Sequence, residues 1–371
     1  MRKKIIIEFI LLIGVMSILS VSAQDRPNYS ETIAKSREVI ARSMEKEKFP
    51  GLSIAVGLNG NIIWSEAFGF SDLENDVHAT TATRFRIASV SKLITAAGMA
   101  RLYEQGKLDI DAPVQKYVPG FPRKQANITT RQLVGHLSGI RHYKRDIDPA
   151  KDEFFSRTKN YRTVTDCLTF FQNDPLDFLP GEKFGYSSYG YTLLSAVIEN
   201  VSGQDFLTYT KKEILTPLGM TSTTADKNEA IIPNRTRFYS LDKDRSVINA
   251  AYIDGSSGWA AGSFLSTPED LVRFGSAHLK AGFLKEKTLK EMFTSQKTND
   301  GKPTGTGFGW RIGKDPDGRT IYFHPGENVG GRSYLVVYPE SGLVIAVVHN
   351  LTGGSLAVAT QVSRSFAAAI H

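Results

Sequence analysis

The sequence predicts an α+β fold: a central antiparallel sheet built from both termini and flanked by helices, with a mainly α-helical second lobe between them. Three observations carry this. A strand pair with its own helix stands near the start, a second strand pair with its own helix closes the chain, and the long stretch between reads as helices and loops. Neither pair can bury a face alone, so one shared sheet is the economical solution.

The first 23 residues read as an export signal outside the fold. Arg2, Lys3 and Lys4 lead into an apolar run from Phe9 to Leu19, and Val21-Ser22-Ala23 offers the small residues that precede a cut. Glu8 intrudes beside the run, and an uncleaved anchor is the competing reading. The run falls short of the about 20 apolar residues that a membrane span takes, so cleavage after Ala23 leaves no stable membrane span. The expected product is secreted or periplasmic in a bacterium. Residues 24–371 then form one two-lobed domain. Its sheet lobe covers about 24–85 and 300–371, and its helical lobe about 86–300.

Ser30 to Lys46 reads as an amphipathic helix with Ile33, Val39, Ile40 and Met44 as its apolar stripe. Leu52 to Leu58 and Ile62 to Phe68 follow as a hairpin across Asn59-Gly60, residues that tolerate the positive φ of a tight turn. At the other end, Ser333 to Tyr338 and Leu343 to His349 form a hairpin across Pro339-Glu340-Ser341-Gly342, and a helical tail runs from Ser355 to Ile370.

Composition narrows the function. A chain of 371 residues, 41% hydrophobic and 22% charged, is neither disordered nor fibrous. One cysteine excludes a disulfide framework, and Cys167 reads as a small buried hydrophobe. The net charge is +7, with Arg2, Lys3 and Lys4 together at the N-terminus, and the surplus in the rest of the chain is spread out. Its densest cluster, Arg141-His142-Tyr143-Lys144-Arg145, reads as a solvated face, so no nucleic-acid partner is expected. The seven histidines show no metal-ligand spacing. Neither a metal nor a cofactor is called for.

The chemistry concentrates at Ser89-Val90-Ser91-Lys92, which opens a helix whose next eight residues, Leu93 to Ala100, carry no charge. A helix apolar on all sides is buried, so this one runs through the core. Lys92 stands three residues after Ser89, on the same face and within reach of its hydroxyl. Desolvation disfavours an ammonium, which makes the lysine a usable proton acceptor. The positive end of the helix favours negative charge developing beside the serine. A capping serine followed by a surface lysine is the competing reading, although lysine in a first turn opposes the helix dipole.

Two further stretches join this one. Pro180-Gly181-Glu182-Lys183-Phe184-Gly185-Tyr186-Ser187-Ser188-Tyr189-Gly190-Tyr191 leads into an apolar helix start, and His324-Pro325-Gly326 precedes the first C-terminal strand. With Ser89-x-x-Lys92 they resemble, in order, the three motifs of the serine β-lactamase and penicillin-binding-protein superfamily. Leu102 to Asp109, His136 to Ile140, Pro217 to Met220 and Phe264 to Leu271 look like its class C β-lactamase-related branch. Leu137 to Tyr143, Asn173-Asp174-Pro175-Leu176, Tyr186-Ser187-Ser188, Arg237-Phe238-Tyr239 and Phe264 to Thr267 carry a closer resemblance. It is to the mitochondrial serine β-lactamase-like proteins of animals. The segment after Tyr143 is short, so their filament assembly is not carried over, and an oligomer stays open.

The resemblance implies a β-lactamase/transpeptidase-like fold and an acyl-enzyme on Ser89, with Lys92 taking or shuttling its proton. Tyr186 matches the tyrosine that shares this proton work and serves the leaving group. Lys92 and His324 would supply the cationic neighbours a phenol needs to act as a base. The backbone N–H groups of Ser89 and of Glu327, which follows Gly326 on the edge strand, would form an oxyanion hole. Ser188 stands where the motif has an asparagine, and Pro325 where it has a threonine or serine. Both departures leave the nucleophile intact and put β-lactam or D-Ala-D-Ala recognition in doubt. A core aromatic at Tyr186 and a strand-end histidine at His324 are the competing readings.

The function expected is a secreted serine hydrolase that cleaves an amide, peptide or ester in a small-molecule or peptide substrate. A penicillin-binding or sensor module acylated without turnover, and an assembly-forming structural homologue, are the alternatives. Gly185 to Gly190 nearly spells the Gly-x-Ser-x-Gly elbow of another hydrolase class, but Tyr189 stands where its second glycine is required.

Overall fold

Residues 29–148 and 150–370 are described by the computed structural model. The export-signal reading lies outside the described residues. The two ends of the chain meet in one sheet. From the N-terminal side come β1 (Gly51–Leu58), β2 (Asn61–Asp72) and the short β3 (Val77–His78). From the C-terminal side come β4 (Arg311–Lys314), β5 (Thr320–Asn328), β6 (Gly331–Tyr338) and β7 (Leu343–His349). The order is β3-β2-β1-β7-β6-β5-β4, antiparallel throughout. β1 and β7 join the halves, with Leu52 opposite His349 and Leu58 opposite Leu343. The β1–β2 turn uses Asn59 at φ +51° and Gly60 at φ +85°, the left-handed pair expected of that dipeptide.

Five helices position the rest: α1 (Ser30–Glu47), α2 (Ser91–Glu104), α3 (Ser188–Ser202), α4 (Pro268–Ser276) and α5 (Ala357–Ile370). The centre of the sheet is covered on both faces, which is why β7 is a continuous apolar run without alternation. Its Leu343, Ile345 and Val347 share a core with Ile40 of α1 and Phe366 of α5. Its Val344, Ala346 and Val348 join the larger core with α2, α3 and α4. α2 is buried at every position from Ser91 to Ala100. A tighter 3-10 turn, Ala88–Val90, precedes it, so Ser89 sits just before the α-helix and not in its first turn. A small sheet ties this turn to the middle of the chain, with Phe264–Ser266 between Phe85–Arg86 and Thr224–Ala225.

Two expectations are corrected. His324-Pro325-Gly326 lies inside β5 and does not precede the C-terminal strands. Proline and glycine read as strand breakers, but the half of β5 that holds them has no neighbour on its β4 side, where the register stops at Phe323 opposite Arg311. The helix α4, inside the segment assigned to the helical lobe, packs on the sheet with Gly275 against Val344.

Ile345 is fully buried at the β1–β7 seam that joins the two chain ends. Ile345→Ala is expected to cost about 2–5 kcal/mol of stability, the range for deleting a large aliphatic core side chain. The midpoint of urea unfolding measures it.

Candidate active site

The turn that carries Ser89 is pressed onto the sheet. Ser333 of β6 donates its hydroxyl to the Ile87 carbonyl at 2.5 Å, and the Ile87 N–H donates to the Phe264 carbonyl at 3.0 Å. Gly326 makes the close approach possible, since a Cβ there would lie 2.5 Å from the Ile87 oxygen and 2.2 Å from Ser333 Oγ. Ala88 takes φ +47°, a left-handed conformation that costs a residue with a Cβ and needs surrounding structure to hold it. Ser89 is thereby fixed above the middle of β5, with part of its surface open.

Lys92 points back from the first turn of α2 and has no exposed surface. Its Nζ donates to the Ala261 carbonyl at 2.6 Å and lies 3.2 Å from Ser89 Oγ and 3.1 Å from Ser188 Oγ. Burial holds its pKa well below the ordinary lysine range, and the charges of Arg157 and Arg311 push it further down. No carboxylate among the described residues offsets this with an ion pair. A neutral amine keeps a lone pair, and the Ser89 hydroxyl is placed to donate to it.

Tyr186 sits beside this pair through the cap of α3. Ser187 Oγ accepts the Gly190 N–H at 2.9 Å and donates to the Arg141 carbonyl at 2.8 Å. The backbone N–H groups of Ser187 and Ser188 each donate to a histidine Nδ1, on His136 and His142, at 3.2 Å. Both imidazoles pack on Tyr186, with ring centres 4.4 and 5.3 Å away, and His324 lies 6.2 Å off. The Tyr186 hydroxyl shares a hydrogen bond with Ser89, but burial outweighs it and pushes the phenol above its usual value.

Burial sets the charge preferences around Tyr186. Burial takes His324 down to about 3, helped by Lys92 and Arg311, so its imidazole is neutral. Its Nδ1–H donates to the Pro325 carbonyl at 2.6 Å. Lys92 is driven toward its neutral form as well. Burial raises the Tyr186 phenol against the opposing charge of Arg311, which suits it to hold a proton and donate it.

The ladder alternates along β5. The bond from Asp315 N–H to the Arg319 carbonyl sets the phase of the β4–β5 hairpin, so Phe323 and every second residue onward face the β4 side. Pro325 falls in that row and costs no bond. Glu327 falls in it too, past the end of β4, and turns its N–H to the open edge beside Ser89. Its side chain is exposed and pairs with Arg332 at 3.0 Å. Ser188, read as a substrate contact, lies beside Lys92, whose Nζ is within hydrogen-bond distance of its hydroxyl.

Several residues of the site carry no advance signal as such. Arg157 donates to Asn328 Oδ1 at 2.8 Å, and Asn328 Nδ2 donates to the Gly262 carbonyl at 3.0 Å. Arg311 stands with its Cζ 6.0 Å from the Tyr186 ring centre. His136 and His142 lie in stretches already quoted for their resemblance, yet only contact shows what they hold. The Arg141–Arg145 cluster is no uniform solvated face. Arg141 is buried on Glu153 at 2.8 Å and Asp174 at 2.5 Å, and His142 enters the site. Cys167 is buried, and its thiol is pushed up to about 12 by desolvation. Among the described residues no cluster of three His, Cys, Asp or Glu is placed to hold a metal, and no helix is long and apolar enough to cross a membrane.

A serine docked on the sheet beside a buried lysine and a phenol, between a sheet made from both chain ends and a helical lobe, is the arrangement of the serine hydrolases of the β-lactamase and penicillin-binding fold. The chain belongs to the Beta-lactamase family, whose profile matches residues 37–368. It is 32% identical to the human mitochondrial serine β-lactamase-like protein LACTB, over 87% of this chain and 77% of that protein. Among solved structures it is similar to the octameric penicillin-binding protein homologue from Pyrococcus abyssi. That match has a TM-score of 0.79 and 26% identity over 91% of this chain and 77% of the other. A D-stereospecific amidohydrolase from Streptomyces matches with a TM-score of 0.75 and 26% identity, over 88% and 96% of the two chains.

The burial of Lys92 has a testable cost. Its folded pKa lies below the unfolded value of about 10.4. Between the two, the unfolded chain binds a proton that the folded chain does not, so stability falls as pH falls through that window. Lys92→Met removes the group. The stability of this variant relative to wild type is therefore expected to rise from pH 10.5 to pH 7, as measured by urea unfolding. A pH-independent difference would show that Lys92 is not buried at a cost.

Proposed function

We propose that this protein is an exported serine hydrolase that cleaves amide, peptide or ester bonds through an acyl-enzyme on Ser89. The observation that carries the reading is the Lys92 amine, buried without a carboxylate partner, 3.2 Å from Ser89 Oγ. Ser89 Oγ bonds to the substrate carbonyl carbon and its proton passes to Lys92 Nζ. Negative charge on the carbonyl oxygen is met by the backbone N–H groups of Ser89 and Glu327. The Tyr186 phenol gives its proton to the departing nitrogen or oxygen and recovers one from Lys92 through the shared hydrogen bonds. Water then bonds to the ester carbon and gives its proton to Lys92; the bond to Ser89 Oγ breaks, and Lys92 returns that proton to the serine oxygen.

The amide part of the reading is supported by the likeness to a D-stereospecific amidohydrolase. Placement outside the cytoplasm is supported by the basic, apolar and small-residue order of residues 1–23. Ser188 and Pro325 stand where the motifs carry an amide and a hydroxyl, so β-lactams are expected to acylate slowly.

Intact-mass time courses test the nucleophile, with a penicillin and a 4-nitrophenyl ester offered to wild type and Ser89→Ala. A mass increment on wild type alone, with turnover falling roughly 1,000-fold or more in the variant, is expected. Equal hydrolysis by both proteins would overturn the reading. A persistent adduct without turnover would favour a sensor module.

Lys92→Met tests the base. Wild-type activity is expected to rise with pH as Lys92 loses its proton, and the variant to lose both the activity and that limb. The same pH–rate profile in both would remove Lys92 from the proton path.

A further inference from the structure

Among the described residues, most carboxylates beside the cleft are already paired with other arginines, and none of them forms an ion pair with Arg157. Glu153 and Asp174 take Arg141, Asp152 takes Arg145, and Asp226 takes Arg86. Asp254 accepts from Ser256 and Asn160.

Arg157 has no such partner among the described residues, although only 6% of it is exposed. Its Nε–H donates to the Phe154 carbonyl at 3.2 Å and its Nη2–H to Asn328 Oδ1 at 2.8 Å, both neutral acceptors. The rings of Tyr143 and Phe154 flank it, with centres 5.1 and 5.3 Å from Cζ. A buried charge with no counter-charge is costly, and a guanidinium so placed is ready for an anion that arrives with the substrate.

The remaining nitrogen, Nη1, faces Gly258. A Cβ on that glycine would stand 3.1 Å from Ser263 Oγ, 3.4 Å from Nη1 and 4.0 Å from Tyr143 Oη. Gly258 has φ −135°, a conformation open to any residue. Conformation therefore does not require glycine here. Its missing side chain leaves room beside the guanidinium edge and the phenol.

The position along β5 says which half of the substrate meets this edge. His324 and Asn328 lie two residues to either side of Gly326, over which the Ser89 turn docks, about 7 Å away in each direction. Tyr186, the donor to the leaving group, is on the His324 side. Arg157 holds Asn328, on the other side. The leaving group departs toward His324, and the acyl half points to Arg157.

We propose that the acyl half of the substrate carries a carboxylate, which seats on Nη1 of Arg157 and the Tyr143 hydroxyl over Gly258. The proposal rests on the reading of Ser89 as the nucleophile. Succinyl and glutaryl 4-nitroanilides, compared with their terminal-amide counterparts, isolate the carboxylate at constant length and leaving group. Wild type is expected to favour the carboxylate in kcat/KM by about 10- to 100-fold at one chain length, the value of a charge-assisted hydrogen bond. Arg157→Met and Gly258→Ala are each expected to bring that ratio toward one, mainly through KM. Gly258→Ala suits the backbone there and asks only that the Ser263 hydroxyl give way slightly, so it carries the test if Arg157→Met does not fold. A wild-type ratio of one or less at both lengths overturns the proposal, as does a ratio that survives both variants. If intact mass shows Ser89 acylated by the amide-ended compounds while the ratio stays at one, this inference alone has failed. Absence of acylation by every compound takes down the nucleophile reading with it.

Discussion

Burial of the Lys92 amine, held on the Ala261 carbonyl, is the constraint on which the rest of the site depends. α2 runs through the core, so the lysine in its first turn cannot reach water and loses preference for its charged form. The same helix start fixes Ser89 in the turn before it, within hydrogen-bond distance. The sheet supplies the opposing wall. Because β1 pairs with β7, the N-terminal and C-terminal parts of the chain form one platform, and β5 presents an open edge just where the Ser89 turn is pressed down by Gly326 and Ser333.

The neighbours of Lys92 follow the same electrostatic logic. His136, His142 and His324 are all held below the ordinary histidine value, first by burial and then by nearby positive charge. They act as neutral hydrogen-bond partners that orient Tyr186, Ser187 and Ser188. Tyr186 is pushed the opposite way by the same burial. One enclosed environment thus separates an acceptor from a donor, lowering the lysine and raising the phenol. This is how a site assigns two proton roles without a carboxylate.

Much of this was legible in the chain itself, where local patterns were decisive. The Asn59-Gly60 turn, the apolar run of β7 and the uncharged stretch after Lys92 each name their structure through short-range chemistry, and Ser89 meets Lys92 because a helical turn brings them together. What was hidden depends on distant partners. Pro325 and Gly326 looked like residues ahead of a strand because the missing β4 neighbour cannot be read locally. Arg141 looked solvated because Glu153 and Asp174 lie 12 and 33 residues on. The opposite pKa directions of Lys92 and Tyr186 were hidden for the same reason. Residue type predicts which cations stand nearby, but only packing decides whether they keep their protons.

The most direct measurement of this account is the titration of the Lys92 amine itself. Protein labelled with carbon-13 at lysine Cε would be followed by NMR from pH 6 to 11, with the Lys92 signal assigned by its loss in Lys92→Met. The account predicts that this one lysine titrates well below the others. A Lys92 signal that titrates with the exposed lysines, near their ordinary value of about 10.4, would contradict it.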